Sequence, residues 1–517
     1  MVDQQQIEAA VAKAAPKIKG PPADWLNETA LPAVYFADGK ALNREAVRYL
    51  LYRQSREKEI AAEAEVATLY AVMDRKRSGD FALAVLNSYL GSQLEAKDRW
   101  ALAVAGLLGD DRIVPILTRR IAEWTEAARG KLAEYAVQAL ALLASDAALL
   151  AVDGMTIRYR TKFKNIGKAA SQAFAAAADA RGLSPAELGD RVLPWLGFEP
   201  GKPRVLEFGD SRVQVAIGLD FKLVWRDLVK GKAIKSLPTG APDALKAEMK
   251  ELSAGLKEAA KAQLLRLENL MVQQHRWPVA RWAELFLQHP LVFPFAARLV
   301  WGGFGTDAKL AATFRALEDR SLTDASHETF TLPEAGSIGI VHPLELTAEQ
   351  RQAWLSHLVD YNVVPPFAQL ERPVVRLAPD QEHTRVSSEF DRIELNAMTF
   401  RGRAERLGWS RGSVVDAGGV NYYYKQFPAA GVDVFIALEG MYVGIDMYSD
   451  ITLGDVVFVK HRSVEIGSYT YDEPSGENDE RVMPFGAVPA IAFSEAMGDL
   501  VKIAGKSGTQ AAEGTDA

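Results

Sequence analysis

The polar residues best suited to chemistry lie between 280 and 380. His342 follows the apolar run Ser337–Val341, and Glu345 stands three residues further on. A histidine at a strand end beside a carboxylate suits general acid–base work. The same pattern also fits a histidine bonded to a backbone carbonyl and a glutamate that starts the next helix. Arg298 and Trp301 are placed by their spacing on one helical face. With Asp360 and Gln369, Arg298 is expected to form either an anion site or an Arg–Asp pair that holds the domain together. Guanidinium grips carboxylate or phosphate through two parallel donors, which makes the first option chemically natural. His342, Glu345, Arg298, Asp360 and Gln369 are therefore the candidate catalytic residues.

Other constellations are weaker. The seven histidines are 275, 289, 327, 342, 357, 383 and 461, and none forms a compact ligand pair. The chain has no cysteine, so disulfides, Cys–zinc sites, iron–sulfur clusters and thiol nucleophiles are excluded. No metal and no cofactor is expected. Asp446, Asp450 and Asp455 lack the spacing and glycine of a calcium loop. Gly505-Lys506-Ser507 resembles the end of a phosphate-binding loop, but that loop needs glycine where position 500 is Leu. The one basic cluster is Arg158, Arg160, Lys162, Lys164 and Lys168, interleaved with Tyr159 and Phe163, and no acid lies between Asp153 and Asp179. Such a stretch can hold a phosphate backbone, dock the acidic C-terminal third or another protein, or simply form a solvated face whose aliphatic stems cover apolar surface.

The elements around these residues form an α+β chain. An N-terminal stack of HEAT-like helical repeats is followed by mixed α/β segments with antiparallel strands. With 517 residues the chain exceeds one hydrophobic core. We expect a lead-in over 1–40, helical repeats over 41–200, a core domain over 201–378, a C-terminal α+β segment over 379–504 and a disordered tail over 505–517. Residues 41–73 read as helix. Ile113, Leu117 and Ile121 make a 3.6-residue stripe, and Leu132, Ala136, Leu140 and Leu143 make its partner. Asp111 and Asp146 open successive units 35 residues apart, a period at which helix pairs bury their apolar faces only by stacking. Ser184-Pro185-Ala186-Glu187 predicts a capped helix start.

Gly209-Asp210, Asp220 and Gly231 punctuate a run of four strands between 204 and 237. A long helix over 242–274, helices over 278–288, 291–301 and 348–358, and short strands within 312–341 follow. A strand over 373–377, a helix over 391–407, strands at 421–426, 432–438, 441–446 and 456–460 with a hairpin at Glu439-Gly440, and a helix over 494–503 complete the reading.

Net charge is −7. Residues 378–517 hold 12 Lys and Arg against 22 Asp and Glu, a balance of −10, and the rest of the chain balances at +3. An acidic C-terminal third opposes nonspecific phosphate binding there. Met1–Pro22 lacks a basic stretch followed by an apolar one, and no run reaches the length that spans a bilayer, so a cytoplasmic protein is expected.

Several short motifs occur together: Leu183–Pro194, Gln263–Met271 with His275-Arg276-Trp277, Gln288-His289-Pro290, Arg298-Leu-Val-Trp301 and Ile340–Leu346. Asp360-Tyr361 with Pro366–Leu370, and Ser494-Glu495 with Asp499, complete the set. In order and spacing this set resembles the bacterial DUF4132 family across roughly residues 180–500. The family's own activity is undefined, so the resemblance implies little chemistry. Some members are labelled molybdate metabolism regulators, and some are encoded near MoxR-type ATPases and von Willebrand A-type proteins. Many carry a WGR domain, but no Trp-Gly-Arg triplet occurs in this sequence.

The expectation is a protein-interaction scaffold or regulatory module whose partner is another protein, with a MoxR-type ATPase as the partner that the family context implies. Nucleic acid and membrane are not expected partners. Two alternatives stay open: an enzyme with a polar site in 280–380, and a nucleic-acid-associated regulator using 158–168.

Overall fold

The computed structural model describes residues 18, 20–159, 163–443, 449–467, 469–474 and 476–505. The chain divides into two compact units, one ending at Pro194 and one beginning at Trp195.

The first unit is helical: α1 (Arg44–Gln54), α2 (Ala67–Ala71), α3 (Arg75–Leu90), α4 (Trp100–Leu108), α5 (Ile113–Glu126), α6 (Gly130–Leu143), α7 (Asp146–Arg158), α8 (Lys164–Asp179) and α9 (Pro185–Arg191). Polar side chains start several of them. Asn43, Asp74 and Ser145 accept the backbone N–H of Ala46, Arg77 and Ala148, which satisfies donors that have no partner inside a helix. Ser184 and Glu187 make a reciprocal capping box with Pro185 in the first turn, as the sequence predicts.

From α3 onward the helices pair, α3 with α4, α5 with α6 and α7 with α8. Successive pairs stack: α4, α6 and α8 touch in file, and α5 touches α7. Hydrogen bonds tie neighbouring pairs together. Arg75 donates to the carbonyls of Gly106 and Leu143, and Ser145 donates to Asp111 at 2.5 Å. Residues 41–73 do not form one helix. Between α1 and α2 the chain loops so that the buried Gln54 side chain bonds Ala61 O and Glu63 N.

The file of helices depends on close approach at Gly106, where an added Cβ would lie 2.7 Å from the Ala139 carbonyl oxygen and 3.0 Å from the Leu142 side chain. Gly106→Val is therefore expected to destabilise this unit by about 1–3 kcal/mol, the usual cost of overpacking. A thermal melt of the full chain that shows no loss would refute this.

The second unit opens with an antiparallel meander of β1 (Arg204–Phe208), β2 (Ser211–Ile217), β3 (Leu223–Asp227) and β4 (Lys232–Ile234). Its inner face, with Leu206 and Val215, packs on Met249 of the long helix α10 (Asp243–Val272). Next come β5 (Arg276–Pro278), α11 (Val279–Trp282), a π turn at Ala283–Leu287 and α12 (Phe293–Ala296). Then follow β6 (Trp301–Phe304), β7 (Leu310–Ala316), β8 (Leu322–Thr323), β9 (Ser337–Ile340) and α13 (Ala348–Asp360). The five strands form an antiparallel sheet in the order β5-β9-β6-β7-β8. Trp277, Trp282, Phe286, Trp301 and Phe314 interlock through edge-to-face, tilted and stacked contacts.

The helix expected over 291–301 is thus confined to one turn. Trp301-Gly-Gly-Phe pairs with β9 instead, so Arg298 and Trp301 do not share a helical face.

The last sheet joins β10 (Val386–Ser387), β11 (Glu394–Asn396), β12 (Ser410–Arg411), β13 (Tyr422–Phe427), β14 (Val432–Glu439) and β15 (Asp450–Lys460). Helices α14 (Ala397–Arg406) and α15 (Ala490–Ala504) share its core. Three expectations change here. Residues 373–377 form no strand, because the Val375 N–H is taken by the Ser494 hydroxyl. The predicted helix over 391–407 is split into β11 and α14, with Asn396 as the cap. The tight hairpin joins β13 to β14 around Gly431 (φ +69°), whereas β14 ends at Glu439 and pairs antiparallel with β15, which begins at Asp450. Among the described residues no helix is long and apolar enough to cross a membrane.

Candidate functional site

A cavity of about 520 Å³ opens in the second unit where three turns and two arginines meet. Leu219 and Asp220 come from the β2–β3 turn, Leu317, Glu318 and Asp319 from the β7–β8 turn, and Tyr361–Val364 from the end of α13. Arg298 precedes β6, and Arg315 lies on β7.

Local chemistry shapes each wall. Helix α13 ends with Val363 N bonding Leu358 O and with Asn362 at φ +51°. Asparagine tolerates this left-handed position, which turns the chain and delivers Tyr361, Val363 and Val364 to the cavity. In the β2–β3 turn Phe221 also takes a positive φ, +58°, and its ring lies 4.7 Å from that of Phe295. Arg298 locks two walls together by donating to Val364 O at 2.8 Å and Leu219 O at 3.0 Å.

Arg315 is only 3% exposed. One Nη donates to the carbonyls of Ala297 and Ala316, and Nε donates to His357 Nε2 at 3.3 Å. The other Nη has no hydrogen-bond partner among the described residues. The guanidinium instead sits over the Tyr361 ring, 4.8 Å from its centroid. Burial pulls the arginine pKa down, while Tyr361 and Glu318 oppose that shift. His357 stacks on Tyr361 and His327. Burial, the Arg315 charge and His327 push its pKa down to about 4, so it is neutral at pH 7 with its proton on Nδ1.

The candidate residues have different fates. Arg298 reaches the cavity. His342 is wholly buried: its Nδ1 accepts the Leu344 N–H, and its Nε2–H donates to Glu495 at 3.1 Å. Glu345 accepts the His342 backbone N–H and pairs with Arg276, so the two side chains form a cap and an ion pair, not a proton-transfer couple. Gln369 bonds the backbone of Val300 and Val341. Asp360 is exposed and faces His327 at 3.6 Å.

Of the basic cluster, Arg158 and Lys168 are exposed and Lys164 is half-buried, while Arg160 and Lys162 lie outside the described residues. Asp446, Lys506 and Ser507 also lie outside them. Among the described residues no group of three or more carboxylates and histidines is placed to hold a metal ion. Arg315 and Tyr361 escaped sequence reasoning as site residues. The available signal for the first was a lone charge in the apolar strand Leu310–Ala316.

Most of the cavity lies within a segment that matches a known family. Residues 231–409 match the family described as Domain of unknown function (DUF4132). This segment is similar to the DUF4132 family. It contains Arg298, Arg315 and Tyr361, whereas Leu219 and Asp220 lie just before it. The chain is also similar to Uncharacterized protein YehI of Escherichia coli (strain K12), with 30% identity over 341 residues. That match covers 64% of this chain and 28% of the relative's length. No solved structure gives a significant match.

The motifs that carry the DUF4132 resemblance divide by task. Ser494, Glu495 and Asp499 are buried on α15, and each holds a different segment: Val375 N–H, Arg372 with His342, and Lys425 with Trp409. Arg298 and Tyr361 remain at the cavity.

Proposed function

We propose that the protein is a non-catalytic interaction module whose helical unit binds an acidic segment of another protein. The observation that supports this most is the file of stacked helices α4, α6 and α8. We read this file as HEAT-like, an arrangement that leaves long surfaces free for a macromolecule. At one edge, Arg158, Tyr159 and Phe163 border a hollow of about 170 Å³ with Ala122 and Glu126. Arg158 is exposed at its border, and Lys168 is exposed on α8. A hollow that small suits one partner side chain, with the cations answering a carboxylate beside it.

The reading is tested with tagged full-length protein purified from its native host at physiological salt. A stoichiometric protein partner is expected, and the family context makes a MoxR-type ATPase the first one to look for. The double variant Arg158→Glu, Lys168→Glu is expected to lower recovery about tenfold or more, the effect of losing about 1.4 kcal/mol or more, with unchanged circular dichroism. Recovery of the protein alone, repeatedly, refutes the reading. A gel shift with nucleic acid that fades steeply as salt rises would move the assignment to a nucleic-acid regulator.

A further inference from the structure

We propose that the cavity between Arg298, Arg315 and Tyr361 binds a small organic anion with one negatively charged head and an apolar body. The inference is independent of the helical unit.

The first support is the state of Arg315. A guanidinium that is 3% exposed has lost nearly all its water, yet one Nη carries N–H groups with no acceptor among the described residues. A buried donor without a partner is destabilising, more so when charged. What faces the group is the Tyr361 ring at 4.8 Å, whose π face attracts a cation but is a poor substitute for an oxygen lone pair. Tyr361 is 42% exposed and stands directly after α13, so its ring can swing aside and let an anionic oxygen take its place.

The second support is the contrast between depth and rim. Leu219, Leu317 and Val363 give the cavity apolar walls with Val364 at its mouth, and its volume falls in the range that holds a drug-sized molecule. The acids lie on the surface turns. Asp220 is bonded to Lys222, and Asp319 accepts the Ser321 N–H and hydroxyl. Together with Glu318 they put negative charge at the entrance, which repels a multiply charged ligand such as a phosphate dianion. A monoanion with an apolar body, of the aryl or alkyl carboxylate class, meets that charge at least cost and matches both the buried arginine and the walls.

The probe is 8-anilinonaphthalene-1-sulfonate, a fluorophore with one sulfonate and an apolar body. Native full-length protein is expected to bind it at one saturable site with enhanced emission. Arg315→Met is expected to weaken binding about tenfold or more, as loss of a charged hydrogen bond does. Because Arg315 is buried and its loss can unfold the unit, Val364→Trp provides the second arm. Val364 is 71% exposed, so tryptophan there fills the mouth without entering the core. This variant is expected to melt like the native protein and to lose the site. Benzoate is expected to displace the probe, and inorganic phosphate at equal concentration is not. Absence of saturable binding, binding that Val364→Trp leaves unchanged in a folded protein, or displacement by phosphate but not benzoate would each overturn the proposal.

Discussion

Replacing Glu495 by alanine is expected to destabilise the α/β unit by about 3–5 kcal/mol, the usual cost of breaking a buried ion pair. Glu495 is buried on α15, and Arg372 donates to both of its oxygens, at 2.5 and 2.7 Å. His342 Nε2–H donates to the first of these oxygens at 3.1 Å. The substitution strands that N–H and leaves Arg372 only Glu268, at 2.7 Å. Burial alone would raise the Glu495 pKa, but the bonds from His342 and Arg372 outweigh it and hold the group down at about 2.

The sign of the pH dependence follows. A carboxylate with a depressed folded pKa stabilises fully above its unfolded pKa, about 4.3, and loses that contribution as pH falls toward about 2. The contribution is on the order of 3 kcal/mol. Urea denaturation of the native protein and of Glu495→Ala is therefore expected to differ most above pH 5. The two curves are expected to converge as pH falls from about 4 toward 2. A gap at pH 7 below about 1 kcal/mol, or one that widens on acidification, would refute the clamp.

The distances involved explain what the sequence could and could not reveal. The stripe Ile113, Leu117, Ile121 and the Ser184 capping box are local, so each announces its own helix. The meander is equally local, since Gly209-Asp210 and Gly231 mark turns between neighbouring strands. The cavity is not local. Its walls come from residues near 219, 318 and 362, and no periodicity connects three turns so far apart. In the sequence Arg315 is a lone charge in a strand, and its burial depends on α13 and on Tyr361, which no local pattern announces.

His342 drew attention because a polar residue after an apolar strand is unusual. That position requires a partner, but the partner is Glu495, 153 residues away. A sequence marks the need for a hydrogen bond more readily than the residue that supplies it. The short helix at 293–296 illustrates the complementary failure. Leu299, Val300 and Trp301 continue an apolar run that suits a helix, and only the pairing of Trp301 with Ile340 makes it a strand.

The backbone just beyond the cavity residue Arg298 hangs on one amide. Gln369 Oε1 accepts the Val300 N–H at 2.9 Å, while its Nε2 donates to Val300 O at 2.7 Å and Val341 O at 2.9 Å. The side chain therefore acts as an additional rung beyond Trp301 and Ile340, where the β6–β9 ladder ends. Leucine fills nearly the same volume but offers no polar atom. In Gln369→Leu, Val300 O keeps the Val341 N–H, but the Val300 N–H and Val341 O are left buried with nothing to replace the amide. With about 1–3 kcal/mol for each of the two unsatisfied groups, a loss of about 2–6 kcal/mol is expected in urea denaturation. Hydrogen exchange separates this mechanism from a general loosening: the Val300 amide is expected to lose protection far more than amides in β14. Val300 lies two residues after Arg298, so the same variant is expected to weaken anilinonaphthalene sulfonate binding while the protein is still folded. Gln369→Glu distinguishes the donor role from the acceptor role, since a carboxylate can take the Val300 N–H but cannot serve either carbonyl. Native stability and native exchange at Val300 in the leucine variant would show that the strand end is held by packing of Trp354 and Leu370 instead.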